Sequence, residues 1–492
     1  MAKSITNEGA TQYDHSYDHG VEFFSKAGSL YKTKKGKKAF YGNETTALEL
    51  FKAVWFSGNH ELAMKLVMWL RDCRGGAGNR SAFRDCVKWI AETEPKWIEA
   101  NIDVVPQIGR WDDLRALNGT KAEQVAVDIW AKAVAKKDYL ACKWADRTDN
   151  NLLKALRKDK VIKDIGDFRR LLAEGRKNTV ERAMCSGNWN EIKYPHVPSV
   201  AMSRYTKAFG KHDPQGFEKF KEKVEKGEAK INASTLFPHD LVRTINGGGD
   251  TEIADAQFKA MPNWVGDSKL RIMVLCDSSG SMSSVVGGSI QAIDVSTSLS
   301  LYCSDRIPED SPFHRKFMQF ESESKLCDWS GHTFSEAYGK GKNPMKTVKD
   351  RGYWGYNNGI FDGAVGSTRI DKALDTLLTN AKMFGATNEQ VPNLIMIISD
   401  MQFTEGGVSN FDGTVVERCL ADWEAAGYDR PKVLYWNLAG CAGQPATVNH
   451  KDVGLVSGFS PSILESVMNA EDFTPLGIMN KKLEKYTVKI PQ

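Results

Sequence analysis

The chain has 492 residues, 41% of them hydrophobic and 26% charged, with a formal net charge of +4. That length exceeds one ordinary core and predicts two or more domains, while the composition is that of a globular protein rather than a disordered one. No run of about 18 apolar residues predicts a membrane span. The N-terminal stretch MAKSITNEGATQYDHSYDHG is polar and has no apolar signal core, so residues 1–40 are read as a flexible tail.

From there the first half reads as helices. Leu62, Leu66, Trp69 and Leu70 fall at helical spacing, as do Phe83, Val87 and Ile90. Between them the glycines of RDCRGGAGNR, residues 71–80, break the helix. Further amphipathic pairs continue past residue 190, the mark of a helical-repeat array over 41–250, although no clean period recurs. The mixed-sign stretch 218–230 predicts an exposed helix, and the glycine-rich stretch 244–257 an interdomain linker.

After the linker the pattern changes. Strands are predicted at 270–276, 316–321, 325–329, 393–399, 432–438 and 452–457. Helices fall between them, one carrying the stripe Ile370, Leu374, Leu377 and Ala381. This alternation predicts a doubly wound, Rossmann-like α/β domain over 265–492. Residues 330–366, rich in Gly, Lys and Tyr, form an insertion too long for a simple connection.

Charge divides along the same line. Residues 1–250 carry 43 Lys and Arg against 33 Asp and Glu; residues 251–492 carry 23 against 29. A basic half can bind polyanions through counterion release, or simply present a solvated surface. Nine cysteines without a CxxC pair predict reduced thiols and a cytoplasmic setting.

The stretch VLCDSSGSM, residues 274–282, ends a buried strand in hydroxyls. It holds one Gly and no Lys, so it is a poor phosphate loop. It is not GxSxG, and no His follows a later strand suitably, so hydrolysis is disfavoured and no enzyme activity is expected. Asp277, Ser279 and Ser281 alternate as D-x-S-x-S, a hard oxygen set suited to Mg²⁺ or another divalent cation. Thr368, in a loop entering a helix, and Asp400, at the end of NLIMIISD, add oxygens at the same sheet edge. The plainer alternative is that these are turn and cap residues.

D-x-S-x-S, then Thr, then Asp after a strand resembles the metal-ion-dependent adhesion site, or MIDAS, of von Willebrand factor A domains. The resemblance implies that Ser279 and Ser281 ligate the ion directly. Thr368 does so directly or through water, while Asp277 and Asp400 hold coordinated waters. Such a site binds a carboxylate of a partner rather than catalysing a reaction.

With that domain behind it, the helical half resembles the TROVE module of the Ro ribonucleoprotein family. YPHVPSVAMSRYTKAFGKHD (194–213) and INASTLFPHDLVRTI (231–245) are similar to two of its segments, and ISDMQFTEGG to its strand-end Asp segment. RDCRGGAGNR and GRWDDL (109–114) look more like a divergent branch with viral members. The resemblance implies a ring of HEAT-like helical repeats closed by the A domain, holding single-stranded or non-coding RNA. The RNA contacts expected are Arg71, Arg74, Arg80, Arg110, Lys143, Arg147, Arg204, Lys207, Lys211 and His239. Arg74 and Arg80 flank a turn where backbone can approach phosphate, and Trp111 and Trp144 can stack on bases. Against this, Arg71 and Arg80 can pair with Asp72 or Asp85, the tryptophans can be core, and His239 can cap a helix. The competing function is a metal-dependent protein adaptor without RNA, serving a ring ATPase or a viral particle. A viral chain implies the host cytoplasm.

Overall fold

Several helices in the first half start where short polar side chains cap them. Thr46 forms a capping box with Glu49, and Asn59 and Asn79 accept from Leu62 N and Ala82 N. The computed structural model describes residues 3–6, 9–30, 46–176, 179–266, 270–287, 290–339, 356–358, 361–363, 367–404, 414–440, 443–448 and 450–492. The helices include α1 (His19–Lys26), α2 (Ala47–Phe56), α3 (His60–Arg71), α4 (Arg80–Thr93), α5 (Glu123–Ala135), α6 (Tyr139–Trp144), α7 (Asn150–Lys158), α8 (Ile165–Gly175), α9 (Ser199–His212), α10 (Pro214–Glu225), α11 (Pro238–Asn246) and α12 (Thr251–Lys259). The helical segment thus runs past the expected linker. Asp250 caps α12 at Ile253 N, and Ile253, Ala254, Gln257 and Phe258 are buried, so only Gly247–Asp250 is a turn.

The second half builds one six-stranded sheet from β1 (Ile272–Asp277), β2 (Lys316–Phe320), β3 (Ser324–Asp328), β4 (Leu394–Ser399), β5 (Lys432–Asn437) and β6 (Val453–Ser457). Every predicted strand is present, shifted by at most two residues at either end. The spatial order is β6-β5-β4-β1-β2-β3, parallel except for β3 at the edge. β1 and β4 are buried along their whole length, which is why both read as continuous apolar runs. Helices α13 (Ala292–Asp305), α14 (Ile370–Met383), α15 (Val415–Ala425) and α16 (Pro475–Leu483) accompany the sheet. Chain order reverses between β1 and β4, so their carboxyl ends form the switch point where such sheets bind ligands. The expected insertion falls partly outside the described residues. Its described parts are the short helix Phe334–Tyr338 and the hairpin Tyr356–Asn358 with Phe361–Gly363.

Residues 3–6 and 9–30 correct the reading of 1–40 as a flexible tail. Val21, Phe23, Phe24 and Ala27 on and after α1 are fully buried, and their burial opposes the entropy of a free tail. Ser457 on β6 donates to Phe24 O, and Asn79 at the start of α4 donates to Ala27 O and Leu30 O. Gly28 is required by this approach: a Cβ there would lie 2.8 Å from Ser457 O. Residues 31–45 lie outside the described residues.

Both ends of the helical segment rest on the α/β domain. At one end Asp255 accepts from Ser335 N and Oγ at 2.7 Å, Asn246 donates to the Tyr338 hydroxyl, and Phe258 stacks on Phe334 at 4.4 Å. At the other, Asp72 accepts from Lys485 Nζ (2.8 Å) and Tyr486 OH (2.9 Å), and Asn101 pairs with Lys489 backbone. The helical segment therefore touches the sheet domain at two places far apart in the chain.

Candidate metal centre and basic surface

Asp277 ends β1 with no exposed surface. Its Oδ1 accepts the N–H of Ser279 at 2.9 Å, the side-chain-to-backbone bond that turns the loop. Its Oδ2 accepts the Ser399 hydroxyl at 2.5 Å. Past the turn, the hydroxyls of Ser279 and Ser281 stand 3.1 Å apart. Ser278 turns the other way: it accepts from Gln319 Nε2 at 2.9 Å and lies 3.3 Å from Phe320 O, both on β2. Its hydroxyl anchors the loop and is not available to an ion there.

The register Ile398↔Cys276 sets Ser399 beside Asp277 and Asp400 one step beyond. Asp400 repeats the turn, its Oδ1 accepting Gln402 N at 3.1 Å. Thr368 joins from a third loop. Its N–H donates to Thr404 Oγ1 (2.9 Å) and its carbonyl accepts Thr404 N (3.0 Å), while Arg369 N donates to Glu321 O beyond β2. Thr368 is 1% exposed. The five predicted oxygen-bearing residues thus sit on three loops tied together by hydrogen bonds. The helix after β1 does not start at the hydroxyl loop. A short turn, Gly280–Ser283, and the hairpin Val285–Gly287 with Ile290–Gln291 precede α13.

Burial pushes the Asp277 carboxyl up, and the neighbouring Asp400 charge adds to the rise. Two buried carboxylates beside two paired hydroxyls form an all-oxygen donor set that fits a hard divalent cation. Among the described residues no group of three or more His, Cys, Asp or Glu gathers as a metal cluster; this set is instead a mixture of hydroxyls and carboxylates.

Several residues that build the site were not singled out from the sequence. Ser399 links the two carboxylate loops, and Met401 N donates to the Ser399 hydroxyl at 2.9 Å from a backbone φ of +66°. The N-terminal segment bears on the same loop: Thr6 Oγ1 donates to Phe403 O at 2.6 Å, and Gly9 bridges Thr404. Ser399 stood in plain view beside Asp400, but its partner became visible only with strand register.

The candidate RNA contacts divide. Arg71 is 3% exposed and its Nε binds Asp113 at 2.7 Å, so it is a buried structural partner and not a surface phosphate contact. His239 is 4% exposed, against the rings of Phe237 and Phe459, and burial holds it down at about 4. It cannot reach RNA. Lys143 pairs with Glu181 at 2.8 Å. Arg110 grips Asp112 through two bonds and covers the Trp144 ring at 3.8 Å, which removes that face from base stacking. Trp111 is half-buried near Trp130. Arg74, Arg80, Arg147, Arg204, Lys207 and Lys211 are exposed. The RGGAG turn offers no free N–H row: Arg74 N and Gly75 N donate to Asp72 Oδ1, Gly76 N to Asp72 O, and Ala77 N to Trp69 O. A groove of about 830 Å³ lies elsewhere, lined by Tyr139, Arg182, Lys193 and His196 among others, and none of the candidate residues borders it.

No helix among the described residues is long and apolar enough to cross a membrane. Residues 122–274 match the family described as "Domain of unknown function (DUF2828)", and residues 271–487 the family described as "Domain of unknown function (DUF7788)". The two matches meet at β1. Over 99% of its length the chain is similar, at 24% identity, to "Uncharacterized protein L728" of Acanthamoeba polyphaga mimivirus, spanning 88% of that protein. Among solved structures, the Ro (RSR) protein of Deinococcus radiodurans aligns over 95% of this chain and all of its own, at 14% identity and a TM-score of 0.37. What these comparisons and the structure give together is a chain with a viral relative, whose mostly helical first part leads into a mostly parallel, mixed sheet with helices.

Proposed function

We propose that this chain is a non-catalytic, Ro-like RNA-binding protein. Its helical segment captures single-stranded or non-coding RNA, and its α/β domain holds a divalent cation that grips a partner's carboxylate. The observation that carries the RNA half is one face of α9. Arg204, Lys207 and Lys211 recur there at three- and four-residue spacing, all exposed, and none meets a carboxylate among the described residues. Unpaired cations on one stripe gain most from replacing counterions with phosphates. The helical segment resting at both ends on one domain is also what the Ro resemblance implies.

Asp277, Ser279, Ser281, Thr368 and Asp400 would hold the cation, Mg²⁺ first. With only two carboxylates in the set, a bound divalent ion keeps residual positive charge, which an acidic side chain of a partner completes. All eight described cysteines are free thiols, which fits a cytoplasmic location.

Purified protein tests the reading directly. It should shift a short single-stranded RNA, with affinity falling roughly tenfold or more between 50 and 200 mM salt. Absent or salt-insensitive binding overturns it. The second reading, a metal-dependent adaptor without RNA, is favoured by the burial of Arg71 and His239 and by the pairing of Arg110 with Asp112 and of Lys143 with Glu181. A protein that binds Mg²⁺ and an acidic partner but no RNA is that adaptor.

A further inference from the structure

Two stretches that stood out in the sequence, RDCRGGAGNR and GRWDDL, meet in one cluster. Asp113, fully buried, accepts from Arg71 Nε (2.7 Å), Arg84 Nε (2.8 Å) and the backbone N–H of Arg110 (2.9 Å). Asp112 accepts Arg110 through both oxygens, at 2.8 and 2.7 Å, and lies 3.1 Å from Arg84 Nη2. Gly109 admits the Arg71–Asp113 pair. A Cβ there would stand 2.6 Å from Asp113 Oδ2 and 2.7 Å from Arg71 Nε. Three guanidiniums thus saturate the two carboxylates.

A fourth guanidinium has no such partner. Arg80 lies one turn before Arg84 on α4 and so shares its face. It is exposed, and it forms no hydrogen bond or ion pair among the described residues. Crowding strips part of its hydration, and the charges of Arg110 and Arg71 then outweigh the attraction of Asp113 and hold its pKa below the ordinary arginine range. As the first residue of a 14-residue helix it also sits at the positive end of the helix dipole. Four guanidiniums against two carboxylates leave a positive surplus on a surface open to water. Arg84 and Arg110 keep 32% and 26% of their side-chain surface exposed.

We propose that Arg80, flanked by Arg84 and Arg110, forms an oxyanion site that takes a phosphate group. The ligand is a phosphodiester of a bound RNA strand or a free phosphate, and only the first of these rests on the RNA reading above. A planar guanidinium fork matches phosphate oxygens bidentately. The site uses side chains alone, because the N–H groups of the neighbouring glycine turn are already bonded inward. Nothing in the packing of α4 requires a cation at position 80, and a charge held among like charges is relieved by an anion.

Thermal unfolding of the full-length protein, titrated with inorganic phosphate in a buffer free of other multivalent anions, tests the proposal. Phosphate should raise the Tm of the wild type and of Arg169→Gln, an exposed control with the same charge change, but not of Arg80→Gln. Arg80→Lys should recover part of the shift. Without phosphate, Arg80→Gln should melt above the wild type, because it removes repulsion; a merely structural arginine would give the opposite sign. A short RNA that displaces the phosphate identifies the phosphodiester as ligand, whereas phosphate binding untouched by RNA identifies free phosphate. Equal phosphate responses in wild type and Arg80→Gln, or a lower Tm for Arg80→Gln in anion-free buffer, overturn the site. The RNA reading fails separately: no RNA shift with phosphate binding intact removes it and leaves this site standing.

Discussion

Ser399 donates its hydroxyl to Asp277 at 2.5 Å across the seam between β4 and β1, where strand order reverses. The same oxygen accepts Met401 N, so one hydroxyl ties the Asp277 loop to the Asp400 loop. Ser399→Ala leaves a buried carboxylate oxygen without its donor. The expected cost is about 1–3 kcal/mol, together with weaker Mg²⁺ binding, read by denaturant unfolding and calorimetric titration. Asp277→Asn should act in the other direction on the ion-free protein. It removes repulsion with Asp400 and should raise the Tm in EDTA while abolishing the Mg²⁺-induced shift. A Mg²⁺ shift that survives Asp277→Asn removes the metal assignment.

The N-terminal segment braces the same site from outside. Thr6 Oγ1 donates to Phe403 O and accepts Ala10 N at 2.9 Å, and Gly9 bridges Thr404, the residue that holds Thr368. Thr6→Val keeps the shape but strands a buried carbonyl and an N–H. It should cost about 1–3 kcal/mol and weaken Mg²⁺ binding in step. Loss of stability with unchanged Mg²⁺ affinity would show that the segment supports the fold without positioning the loop.

What could be read from the sequence followed from local pattern. Fully buried parallel strands are short continuous apolar runs, so β1 and β4 and the loops that follow them, bearing Asp277 and Asp400, were legible, whereas the antiparallel edge strand β3 is mostly exposed and has no such run. Strand order and register depend on partners far apart in the chain, and so the Ser399–Asp277 bond was not legible. Val21–Phe24 lies in an eight-residue helix among His, Asp and Tyr, too short for periodicity to outweigh a polar composition. The arginines misled for a related reason. Arg71 looks like a surface cation beside a glycine turn, but its carboxylate partner stands 42 residues away, a distance no spacing rule covers. Gly247–Gly249 marked a real turn, yet Asp250 caps a buried helix immediately after it.

That buried pair gives a sharp contrast between structural and surface arginines. Removing one partner of a buried ion pair leaves an uncompensated charge, so Arg71→Ala should destabilise by about 3–5 kcal/mol. Arg204→Ala, on the exposed face of α9, should change stability by no more than about 0.5 kcal/mol. Urea unfolding of both variants measures the difference. A mild Arg71→Ala would mean that the Asp113 cluster is solvated.

His239 sets an acid limit. Burial holds its pKa at about 4, against about 6.5 for an exposed histidine. Between those values the unfolded chain binds the proton that the folded chain refuses, so stability should rise as pH rises from about 4 to about 6.5 and be flat above. The span corresponds to on the order of 3 kcal/mol. His239→Leu should remove this rise and leave RNA affinity at neutral pH unchanged. Stability is measured by chemical unfolding at stepped pH, and an unchanged pH slope in the variant would assign the acid sensitivity elsewhere.

The stripe on α9 makes a quantitative claim about salt. Each phosphate neutralised on a single strand contributes a slope of about −0.7 to log affinity against log salt. Replacing Arg204, Lys207 and Lys211 by Gln removes three cations that have no carboxylate partners among the described residues. The slope should therefore fall by about 2, with stability nearly unchanged, because exposed unpaired cations contribute little to folding. Filter binding of one RNA over a range of salt concentrations gives the slope, and melting curves give the stability. A uniform loss of affinity without a change of slope would mean that these residues shape the surface rather than contact phosphate. In that case the RNA path would have to follow the Arg80 side of the helical segment.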